Sequence, residues 1–160
     1  MREERRAVPR RGIPLRAVVP NAVTALALCS GLTGIRFAIS GDWGVALAFI
    51  GVAAVLDGLD GRIARTLRAQ TRFGAELDSL SDLVAFGVSP ALIVYLWTLN
   101  SISPDHSDYE RWVRYGWLFA LAFAVCMALR LARFNARIDA EDQPHKSAGF
   151  LTGVPAPAGA

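Results

Sequence analysis

Asp57, Asp60, Asp78 and Asp82 sit in one short stretch of the chain, flanked on both sides by long apolar runs. A carboxylate stranded in hydrocarbon costs roughly 2.5–3.5 kcal/mol on insertion scales, so a membrane chain carrying four of them has to use them. Asp57 and Asp60 are three residues apart and Asp78 and Asp82 four apart, which puts each pair on one face of its helix. Two acidic faces brought together form an oxygen-rich cage for a hard divalent cation such as magnesium. One or two such ions, Mg2+ or Mn2+, would relieve the mutual repulsion of the carboxylates. Magnesium prefers a few carboxylates plus substrate phosphate oxygens to a full protein cage, so a phosphate-bearing substrate sharing the metal is expected.

The residues between the pairs fit that reading. Gly61 and Ala64 lie on nearly the same helical face and remove side-chain bulk, letting a ligand approach the backbone. Gly74 falls where the second helix must give way to the third. The alternative is an ion-pair network in which Arg62, Arg65, Arg68 and Arg72 neutralise the aspartates. It accounts neither for the small residues nor for the clustering of the acids.

The elements that must hold these residues are apolar helices. Of 160 residues 53% are hydrophobic and 19% charged, and the mean hydropathy is +0.34, concentrated in blocks. That pattern predicts an all-α, polytopic membrane helix bundle rather than a soluble domain. Four spans can be drawn, at about 22–39, 43–56 (continuing as a more polar helix towards Arg68), 83–99 and 115–134. Gly31, Gly34, Gly51, Ala53 and Ala54 offer small surfaces for helix contact. Trp43, Trp97, Trp112, Tyr115 and Trp117 cluster near span ends, as an aromatic belt would.

Charge sets the expected orientation. Arg2, Arg5, Arg6, Arg10, Arg11 and Arg16 crowd a basic segment, residues 1–19, ahead of the first span. Arginines also fill the link between spans two and three and the stretch after span four, whereas Ser40-Gly41-Asp42 carries no positive residue. The alternation places the N-terminus and the aspartates on the cytoplasmic side of a cell (inner) membrane. A basic tail running straight into a span reads as a topology signal touching anionic lipid, not as a nucleic-acid arm. A signal peptide fits less well, because the basic segment is long and proline-broken and Arg36 interrupts the far end of the run. Cys29 and Cys126, both inside apolar runs, read as packed thiols and suggest neither a disulfide framework nor a zinc site.

The stretch Asp60-Gly61-Arg62-Ile63-Ala64-Arg65, eight residues, Gly74, Asp78 and Asp82, with Asp57 three before the first, resembles the signature of the CDP-alcohol phosphatidyltransferases. Many fixed positions at fixed spacing make the match specific. Pro20-Asn21 with Thr24, Phe73-Gly74-Ala75-Glu76-Leu77-Asp78-Ser79-Leu80, Phe86-Gly87-Val88-Ser89-Pro90, Leu129-Arg130-Leu131-Ala132-Arg133-Phe134-Asn135 and Gly153-Val154-Pro155-Ala156-Pro157-Ala158 look like its phosphatidylserine synthase branch. The resemblance implies a membrane domain of that family over 20–160. It implies that Asp57, Asp60 and Asp78 hold the metal, with Asp82 adding a ligand and acting as general base. Asn21, Thr24, Gly61, Ala64, Arg65, Thr71 and Gly74 match positions implied to meet the CDP-lipid. Asn21 and Thr24 could equally cap the first span, and Thr71 the third helix. Arg130 and Arg133 are either snorkelling anchors or the fork that takes a serine carboxylate.

The activity so implied is transfer of a phosphatidyl group from CDP-diacylglycerol to L-serine, releasing CMP. Rivals are the same transfer to glycerol 3-phosphate, inositol phosphate or choline, and, from another class, a cation transporter using the acid cluster. The family core resembles six helices and a homodimer, whereas four complete spans are found here, so either the chain is truncated at the start of a fifth or the remaining helices are absent.

Overall fold

The computed structural model describes residues 15–102 and 108–138. Five α-helices follow in order: α1 Leu15–Ile39, α2 Trp43–Thr66, α3 Arg72–Asp82, α4 Ser89–Ser101 and α5 Tyr109–Ile138. A six-residue π-helical stretch, Leu83–Val88, splices α3 to α4, so that they make one 30-residue helix, Arg72–Ser101. No strand occurs among the described residues. Among the described residues four helices are long and apolar enough to cross a membrane, since ~20 residues at 1.5 Å rise span a ~30 Å core. The protein is an all-α integral membrane helix bundle. Of the basic segment only its last residues are described; Arg2 to Arg11 and Gly153 to Ala158 lie outside.

The helices overrun the apolar blocks that announce them. α1 begins at Leu15 and carries Pro20 inside it, α3 begins at Arg72, and α5 begins at Tyr109. Asn21 and Thr24 are therefore interior helix residues, in neither a turn nor a cap. At an interface the cheapest partners for backbone groups are those of the helix itself, so helical structure continues into polar sequence.

Two chain reversals share one hydrogen-bond pattern. After α1, Asp42 N–H reaches Phe37 O (3.0 Å) and Gly41 N–H reaches Ala38 O (3.0 Å), with Gly41 at φ +81°. After α2, Ala69 N–H reaches Ala64 O (3.0 Å) and Arg68 N–H reaches Arg65 O (3.2 Å), with Arg68 at φ +48°. Both are left-handed C-terminal stops of the Schellman type. The reversal ahead of α3 is thus made at Arg68 and not at Gly74, which sits in the first turn of α3.

Small residues let α1 pack closely against its neighbours. A Cβ on Gly31 would lie 2.8 Å from Ala85 Cα, and one on Gly34 would lie 3.0 Å from the Ala46 carbonyl. Gly51, by contrast, faces open space. One buried cluster joins Ala53, Ala85, Phe86 and Met127, and a second joins Ala38, Ala46 and Ile93. Cys29 and Cys126 are exposed, correcting the expectation of packed thiols. A membrane helix meets apolar surroundings on its outside as well as its inside, so an apolar residue carries no inward preference.

Candidate metal and lipid-nucleotide site

Asp57 and Asp60 stand in the C-terminal half of α2, three residues apart, and Asp78 stands on the second turn of α3. The stop at Arg68 folds α3 back beside α2, bringing one oxygen of each of the three carboxylates within 4.8 Å of the others. Oxygen ligands sit at about 2.0–2.6 Å from magnesium or calcium, so the three can share one ion. Asp60 is buried at 4% exposure; Asp57 and Asp78 are half-buried. Asp82, one turn beyond Asp78, lies outside this trio but within side-chain hydrogen-bonding reach of Asp57. Its Oδ1 is buried and has no protein partner.

The arginines do not neutralise the cluster. Among the described residues none of the four aspartates forms an ion pair; Arg111 with Asp108, at 3.3 Å, is an exposed pair elsewhere. Arg65 turns along its own helix, Nε donating to Gly61 O at 3.0 Å, and Arg62, Arg68 and Arg72 are exposed. Four carboxylates with no basic partner, one carrying an orphaned buried oxygen, are a donor set suited to a divalent cation.

The positions around the cluster separate into open and filled. A Cβ on Gly58 or Gly61 would meet nothing within 4 Å, so this flank of α2 is free for a bulky ligand, with half-buried Ala64 and exposed Arg65 beyond it. Gly74 is filled instead: a Cβ there would lie 2.9 Å from Asn21 Oδ1, so the glycine admits the Asn21 side chain. Thr71 caps α3, its Oγ1 accepting from Gly74 N–H at 3.0 Å. Thr24, 5% exposed, donates its hydroxyl to Asp60 Oδ2 at 2.6 Å. Arg130 and Arg133 are exposed on α5, and Arg130 Nη1 donates to Met127 Sδ at 3.6 Å.

Sequence reasoning missed two contacts that hold α3 in place. Ser81, 3% exposed, donates to Thr24 O at 3.2 Å, and Asn135 Nδ2 donates to Ser79 Oγ at 2.9 Å, fastening α5 to α3. Single serines give no spacing signal. The π-helical stretch directly after Asp82, an irregularity frequent near functional sites, also carries none. An apolar cavity of about 270 Å³ between α4 and α5, walled by Tyr95, Trp112 and Phe119, has no carboxylate in its lining and is separate from this site.

A helix bundle in which Asp60 of a D-G-x-x-A-R stretch converges with Asp57 before it and Asp78 on the next helix defines a class, and the comparisons name it. The family model "CDP-alcohol phosphatidyltransferase" matches residues 17–160, and the chain belongs to that family. A "CDP-diacylglycerol--serine O-phosphatidyltransferase" of Mycobacterium bovis is 49% identical over 151 residues, 94% of this chain and 49% of the relative. Proteins of the same name from Mycobacterium leprae and Helicobacter pylori J99 are 47% and 36% identical, covering 94% and 88% of this chain and 46% and 53% of their own lengths. The chain thus spans about half the length of the curated relatives it matches. No solved structure matches it.

Proposed function

We propose that the protein transfers a phosphatidyl group from CDP-diacylglycerol to L-serine, giving phosphatidylserine and CMP. The observation that carries the reading is the convergence of Asp57, Asp60 and Asp78 without a basic partner beside the open flank of Gly58 and Gly61. The names of the relatives supply the acceptor. Asp57, Asp60 and Asp78 would hold magnesium or manganese, with Asp82 completing the set. Such an ion supplies charge neutralisation for a pyrophosphate and a better leaving group.

The side chains divide the remaining work. Asp82, next to Asp57, accepts the proton of the serine hydroxyl as that oxygen attacks the lipid-side phosphorus. The bond from phosphorus to the CMP oxygen breaks, and CMP leaves with the electron pair. Gly61 and Ala64 leave room for the nucleotide, and Arg65 supplies a guanidinium at the edge of that space. Arg130 and Arg133 offer cationic forks on α5 for the serine carboxylate. The positive-inside pattern supports a site at the cytoplasmic face of the cell membrane, where a lipid and a water-soluble substrate can meet. The family resemblance supports pairing of the bundle as a homodimer.

CMP release from CDP-diacylglycerol is the test. Release should depend on L-serine, stop on chelation of divalent cations and return on adding Mg2+. Release unaffected by excess chelator refutes the metal; release driven equally by glycerol 3-phosphate or choline refutes the acceptor.

A further inference from the structure

Asp60 is the most enclosed of the cluster carboxylates, and its surroundings differ from those of the others. Its Oδ2 takes the Thr24 hydroxyl at 2.6 Å. That hydroxyl also lies 3.1 Å from Pro20 O, the ordinary back-bond of a helical threonine. A single proton serves one acceptor at a time, and the shorter, charge-assisted contact to the carboxylate is the stronger. Thr24 is fixed from its other side, because Ser81 Oγ donates to the Thr24 carbonyl at 3.2 Å. Thr24, Asp60 and Ser81 are each 5% exposed or less. Three helices therefore meet at one chain of contacts, from Ser81 on α3 through Thr24 on α1 to Asp60 on α2.

We propose that Thr24 is a positioning residue for the cation: its hydroxyl occupies one oxygen of Asp60 and turns the carboxylate so that the other serves the ion. Thr24 touches neither the ion nor the lipid nucleotide, its 5% exposure leaving almost no surface for a substrate. Partners that orient metal-binding carboxylates typically change metal affinity 10- to 100-fold when removed. A threonine serving only as glue between helices would change thermal stability and leave cation affinity alone.

The inference rests on the carboxylate cluster being a metal site, and Mn2+ binding followed by electron paramagnetic resonance tests the two separately. Thr24→Val keeps the shape and removes the hydroxyl; Thr24→Ser keeps the hydroxyl. The expected result is Mn2+ affinity at least about tenfold weaker in Thr24→Val, near its original value in Thr24→Ser, and abolished in Asp78→Ala. Saturating Mn2+ should then return the KM for CDP-diacylglycerol in Thr24→Val to that of the unaltered protein. Unchanged Mn2+ affinity in Thr24→Val with a raised KM for the lipid overturns the positioning role in favour of direct lipid contact. Unchanged affinity with only a lowered melting temperature overturns it in favour of simple packing. Absence of Mn2+ binding in the unaltered protein removes the metal site itself and the inference with it.

Discussion

Around Ile93 the helices meet through Ala38 and Ala46, and around Phe86 through Ala53, Ala85 and Met127, with Gly31 and Gly34 letting backbones touch. Around Asp60 the same helices meet through Thr24, Ser81 and carboxylates, with Asn135 hydrogen-bonded to Ser79 close by. The first region is held mainly by shape, with one hydrogen bond between α1 and α2, Ser30 Oγ to Phe49 O at 2.7 Å. In a bilayer, where lipid tails are as apolar as leucine, close packing of small residues is what draws helices together. The second region forgoes that packing and places like charges side by side. On the proposed reading the part shaped for a ligand is the part that is worse at holding itself together.

The reversals on the two sides of α2 repeat the contrast. The stop at Gly41 uses the residue that adopts φ +81° without strain, whereas the stop at Arg68 forces φ +48° on a side chain with a Cβ. The strained copy is the one that brings α3 beside α2 and so assembles the cluster.

Substitutions in the two regions should part company. Asp78→Asn or Asp82→Asn should lower CMP release by at least about a hundredfold, while the melting temperature in chelator stays level or rises because a repelling charge is gone. A robustly active Asp82→Asn protein would remove the base, and a sharply destabilised one would remove the distinction between the regions. Gly31→Val should do the reverse. Its added carbons meet the Ala85 backbone, so detergent-unfolding stability should drop by about 1–3 kcal/mol while Mn2+ affinity per folded molecule is kept. The smallest effect is expected at Arg68→Gly, which relieves the left-handed strain and should raise stability by about 0.5–1 kcal/mol. Loss of stability there would mean that the Arg68 side chain contributes more than its backbone costs.

The sequence made the four spans legible because each carries a long apolar block, interrupted only near its end by Arg36 in the first and by Arg130 and Arg133 in the fourth, and it made the acid cluster legible because spacings of three and four survive any shift of helix boundary. The boundaries themselves were hidden, since Leu15 to Asn21 and Arg72 to Asp82 are helical in spite of proline, arginine and glycine. Asp82 reads like Asp78 in the sequence, yet only Asp78 joins the trio with Asp57 and Asp60. Thr24 stood out as a candidate lipid contact, but nothing in a linear pattern could show its hydroxyl spent on Asp60, a contact spanning 36 residues. Gly74 looked like a hinge; only the fold shows Asn21 filling the space above it.

The π-helical stretch Leu83–Val88 has one more consequence. Ser89 N–H bonds to Val84 O, five residues back, so the winding here holds a residue more than an α-helix would. One residue is about 100° of rotation. Asp78 and Asp82 are thereby aimed independently of Ser89 and Ile93, although all four ride on one rod. Shortening the stretch by a single residue would swing the acids away from α2 while the far half kept its seat, or the opposite, and either way the rod could no longer serve both ends at once.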